Sequence, residues 1–96
     1  MLKISVIDSS TQRRLVLEGK LVTPWVTELR AAWKTAHTDL QGRKLVIDMV
    51  DVFVISQEGE NVLLQLMDEG AQFRCHGLFT KHLLARLARK NGKESA

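Results

Sequence analysis

The run Leu45, Val46, Ile47, Asp48 constrains this 96-residue sequence more than any other feature. Three bulky apolar residues in succession, without polar alternation, describe a strand covered on both faces by helices, and hence the centre of an α/β sheet. Asp48 reads as the end of that strand. A second short apolar stretch, Val52 to Ile55, leads to Ser56, whose hydroxyl suits the N-cap of a helix. Val62, Leu63, Leu66 and Met67 then recur at helical spacing as a buried stripe. Glu58 and Glu60 in the first turn oppose the positive end of the helix dipole, and Gly70 supplies the stop.

The flanks complete the pattern. Ile4, Val6 and then Leu15, Val16, Leu17 form two strand-like runs around Asp8, Ser9, Ser10 and Thr11, residues that bond the backbone in turns, so the chain opens with a hairpin. Gly19 is read as closing the second strand. Thr23 is the expected cap and Pro24 the expected first residue of a helix. Trp25, Leu29, Ala32, Trp33 and Ala36 share its sheet-facing side, Glu28, Arg30 and Lys34 face water, and Gln41 and Gly42 follow as a turn. Gln72 to His76 is a short strand, and Gly77 precedes a last helix carrying Leu83, Leu84 and Leu87. The order ββαβαβα predicts a mixed four-stranded sheet with an N-terminal hairpin, parallel βαβ crossovers and helices packed on it. At 10.9 kDa and 45% apolar residues there is material for one core. The expectation is a single domain over residues 1–90 and a frayed polar tail over 91–96.

Charge and chemistry narrow the function. The net charge of +3 is concentrated in residues 81–96, which carry Lys81, Arg86, Arg89, Lys90 and Lys93 against Glu94. A solvated helix C-terminus favours such residues through its dipole, so no specific nucleic-acid partner is expected. One cysteine, Cys75, no leader-like N-terminal pattern and no apolar stretch long enough to span a bilayer point to a cytoplasmic protein. Cys75, His76 and His82 lie close in sequence, but adjacent strand residues point to opposite faces, so no metal site is expected. With no nucleophile elbow, P-loop or dinucleotide fingerprint, the sequence names no catalytic residue and no cofactor. Asp48 and Asp51 stand where open α/β sheets place ligands, although turn and capping roles account for both.

The segment LVIDMVDVFVISQEGENVLLQLMDEG, Leu45 to Gly70, resembles the core of the STAS domain, the fold of bacterial anti-sigma factor antagonists. Asp48 matches the aspartate ending the family's apolar strand, and Gly59 matches the glycine near the start of its helix. Leu15 to Leu21 and Phe73 to Gly77 resemble the family's second and fourth strands. The resemblance covers residues 2 to 89 in element order. It departs from the pattern at the phosphoacceptor, where the usual Asp and Ser are replaced by Ser56 and Gln57 and the following hydroxyl residue by Glu58. Ser56 is the remaining hydroxyl available for phosphorylation, one position early, where helix capping already gives it a use.

The resemblance implies a noncatalytic protein-interaction module, with Asp48, Ser56, Gln57, Glu58, Gly59 and Glu60 on or near its docking face. Its implied partner is an anti-sigma factor kinase of the histidine-kinase ATPase fold. The partner-binding state would be permanent if the neutral Gln57 is decisive, or fixed in an acidic form if Glu58 and Glu60 imitate phosphate. Two other roles follow from relatives of the fold: a small cytoplasmic subunit of a transporter ATPase complex, and a nucleotide or small-ligand module with its pocket near Asp48. Dimer formation is left open.

Overall fold

The computed structural model describes residues 1–92. In chain order the elements are β1 (Leu2–Asp8), β2 (Gln12–Leu21), α1 (Trp25–Ala36), β3 (Lys44–Ile55), α2 (Gln57–Asp68), β4 (Gln72–Cys75) and α3 (Leu78–Gly92). The strands form one sheet in the order β1-β2-β3-β4. β1 and β2 are antiparallel, while β2–β3 and β3–β4 are parallel, which makes the sheet mixed. The polar tail expected from Asn91 begins within α3, and residues 93–96 lie outside the described residues.

The hairpin forms because Ser9 organises the turn: its hydroxyl accepts from the Gln12 amide at 3.1 Å, and the Ser9 amide donates to the Gln12 carbonyl at 2.8 Å. Arg13 then ties this turn to the end of α1. Its guanidinium holds Asp8 at 2.7 Å and donates to the carbonyls of Ala36 and Thr38, groups left without helical partners at a C-terminus. The strand does not close at Gly19. It continues to Leu21 through irregular register, and Gly19 adopts φ +114, which its missing Cβ permits. Helix α1 also begins differently from expectation. Pro24 is the N-cap itself and Thr23 gives no side-chain cap, so the helix starts at Trp25.

The helices share one face of the sheet. Both parallel crossovers step the same way across it, and right-handed connections that do so place their helices on the same side. A single core results: Leu15, Leu17, Leu45, Ile47, Met49 and Val52 from the strands meet Leu29 and Trp33 of α1, Val62, Leu63 and Leu66 of α2, and Leu83, Leu84 and Leu87 of α3. The reading of a central strand covered by helices on both faces is therefore corrected. Val16, Val46 and Asp48 are buried on the other face but stand outside that cluster. Neighbouring strands flank them there, with Arg14 and Gln72 beside Val46, and Ser5 beside Val16. A second correction concerns length. Asp48 does not end the strand; β3 runs on through the second apolar stretch as one strand of 12 residues.

Candidate functional site at the start of the second helix

Helix α2 begins where β3 leaves the sheet, and its first turn is built as the sequence indicates. Ser56 is in extended conformation at the N-cap, and its hydroxyl accepts from the Gly59 amide at 3.1 Å. Gly70, at φ +96, follows the other end of the helix.

Gly59 is buried, and its role is steric. A Cβ there would sit 2.5 Å from the Leu21 carbonyl oxygen and 3.0 Å from the Ile55 side chain. The glycine thus lets the helix start lie directly against the end of β2, where the Ser56 amide also donates to Leu21 at 3.0 Å. It offers no side chain to a partner.

Three neighbours differ from it. Gln57 and Glu58 are exposed, and Gln57 donates to the Asn61 side chain one turn on at 3.2 Å. The Glu60 carboxylate is engaged, accepting from Arg86 of α3 at 3.1 Å with its own side chain only 18% accessible. Of the two acids in this turn, Glu58 alone projects freely toward solvent.

Asp48 lies elsewhere. It sits in the middle of β3 on the helix-free face, 1% exposed, and its two oxygens accept from Arg14 at 2.9 Å and meet His76 Nε2 at 2.9 Å. Arg14 reaches it diagonally, since its direct partner in β3 is Val46. The expectation of a carboxylate pair at a strand end is corrected: Asp48 is an internal, ion-paired residue, and Asp51 lies farther along the strand with its side chain exposed. Cys75 is half-buried against the core, His76 is engaged with Asp48, and His82 lies on α3. Among the described residues, no group of three His, Cys, Asp or Glu side chains comes together as a metal site would require.

The sequence reading missed the surroundings of the α2 start. Val50, Phe53 and Val54 in the second half of β3, and Leu78 and Phe79 in the first turn of α3, are all exposed. They belong to the same end of the sheet as Ser56, because β3 leads into α2 and β4 into α3. A groove of about 580 Å³ runs beside the helix start, lined by Ile55, Glu60, Phe79, Leu83, Arg86 and Arg89 among others. The signal for this surface was present in the Phe53-Val54 and Leu78-Phe79 pairs. Without the strand pairing, nothing showed that the sheet fails to cover them.

The sequence matches no family model and no curated protein. Among solved structures it is similar to a protein of the DUF3478 family with a SpoIIAA-like fold from Shewanella loihica PV-4, at 15% identity and a TM-score of 0.60. The match covers 93% of this chain and 78% of that one. At this identity the likeness shows the fold: a mixed four-stranded sheet with flanking helices of the SpoIIAA-like, or STAS, architecture. Among the described residues no helix is long and apolar enough to cross a membrane.

Proposed function

We propose that the chain is a noncatalytic STAS-like regulator that binds a protein partner through the first turn of α2 and the apolar residues around it. One observation carries this reading: Gln57 and Glu58 project from a rigidly capped helix start at the sheet end where Phe53, Val54, Leu78 and Phe79 are exposed. Large exposed apolar side chains at one end of a sheet offer a protein partner apolar surface to bury. The partner that fits the fold is an anti-sigma factor of the histidine-kinase ATPase type.

The local chemistry favours a permanently competent form over one that imitates phosphate. Gln57 is neutral at the position where the resemblance places the phosphoacceptor. Glu60 has its charge offset by Arg86. Ser56 is half-buried and its hydroxyl is already engaged in capping the helix.

The test is capture of the partner by the tagged full chain expressed in its own host, compared with Gln57→Asp and Glu58→Arg. A kinase-like partner held by the wild type and released at least tenfold by Gln57→Asp supports the proposal. A partner held equally by all three chains places docking elsewhere and overturns it.

A further inference from the structure

The groove between α2 and α3 is chemically one-sided. Its floor is apolar, formed by Ile55, Phe79 and Leu83, and its wall on α3 carries His82, Arg86 and Arg89. Between Leu78 and Lys90 that helix contains no Asp or Glu and also bears Lys81 and Lys90. The single acid lining the groove is Glu60, and its charge is already offset by Arg86 at 3.1 Å. His82, Arg86 and Arg89 are spaced four and then three residues apart, which aligns them on one helical stripe about 10 Å long.

Resting on the docking function proposed above, we infer that this groove receives an acidic segment of the partner protein. The segment seats an aromatic or branched apolar side chain on Ile55 and Phe79 and directs carboxylates to Arg86 and Arg89. Charge complementarity selects the acid, and the exposed ring of Phe79, 54% accessible, selects the apolar anchor. Guanidinium groups bind carboxylates through paired donors, which gives register as well as attraction. Arg86 and Arg89 lie about 4.5 Å apart along the helix axis, within reach of carboxylates on alternate residues of an extended chain, which share one face and stand about 6.6 Å apart. Glu60 competes for Arg86 in the free protein, so an incoming carboxylate takes over a guanidinium already positioned in the groove.

The probe is a phage-displayed library of random dodecapeptides selected on the full chain, with the strongest binders measured by fluorescence anisotropy. Selected peptides should be rich in Asp and Glu around one aromatic or branched residue. Arg89→Glu and Phe79→Ser should each weaken them at least tenfold with the far-ultraviolet circular dichroism unchanged, while Glu60→Gln, which frees Arg86, should tighten them about threefold. Basic or uncharged winners, weaker binding by Glu60→Gln, or a groove that takes laurate but no acidic peptide would each overturn the inference. If the peptides ignore Arg89→Glu and Phe79→Ser but are lost on Gln57→Asp, docking at the start of α2 stands and the groove does not. If the peptides behave as expected while the natural partner ignores Gln57→Asp, the groove stands and the docking face must be redrawn.

Discussion

The two halves of β3 are alike in composition and opposite in fate. From Leu45 to Met49 five consecutive residues are buried, an aspartate among them, whereas Val50, Phe53 and Val54 are exposed. The difference is coverage. β4 pairs only with Val46 to Met49, so beyond that point β3 has β2 on one side and no strand on the other. The first half is therefore buried on both faces, with Leu45, Ile47 and Met49 in the core. The second half leads to the helix start; it buries Val52 and leaves Val50, Phe53 and Val54 exposed.

The largest effect that could break this comparison is on stability. Ile47→Ala, at a fully buried site, should cost about 3 kcal/mol, while Phe53→Ser should change stability by no more than about 0.5 kcal/mol and weaken partner binding instead. Urea unfolding of both variants checks it. Equal losses would mean that the second half of β3 is as much a part of the core as the first.

Next comes the junction of strand and helix. Gly59→Ala pushes a methyl group against the Leu21 carbonyl and should destabilise by roughly 1–3 kcal/mol, whereas alanine for glycine at an open helical site stabilises by about 1 kcal/mol. Ser56→Ala should cost about 1 kcal/mol, and Ser56→Asp, which can still cap, should recover most of it. Thermal unfolding separates the cases: if Ser56→Asp is as unstable as Ser56→Ala, capping is not what the hydroxyl does.

The smallest effect lies at the opposite end of the sheet and is seen only in acid. The hydrogen bond from Arg13 holds the Asp8 carboxyl below its usual range, with the nearby Arg43 acting in the same direction. Because the folded value is the lower one, the linked stability is present above the unfolded carboxylate range near pH 4 and is lost as pH falls through the folded value. Asp8→Asn should flatten this part of the acid unfolding curve and leave neutral-pH partner binding unchanged. Unaltered acid behaviour would show that the Arg13–Asp8 pair is not linked to folding.

Much of the fold was legible because periodicity and punctuation agreed. The hairpin turn, the stripe of α2, the Ser56 cap and the Gly70 stop all follow from local chemistry. Asp48 was misplaced for a physical reason: a carboxylate is disfavoured in a strand unless charged partners reach it, and those partners, Arg14 and His76, are distant in sequence. Thr23 and Pro24 offered a familiar helix start, yet the chain geometry put the proline itself at the cap. Gln57 and Glu58 were legible as candidates. The apolar surround and the basic groove wall were not, because both depend on which strand ends first and which helix face turns outward.

Site-specific photo-crosslinking in the host cell tests the central claim most directly, with a benzophenone amino acid placed at Gln57 in one chain and at Lys44 in another. Both positions are exposed, one at the start of α2 and one at the far end of β3. The account predicts a discrete protein adduct from position 57 and none from position 44. An adduct from position 44 with none from position 57 would contradict it.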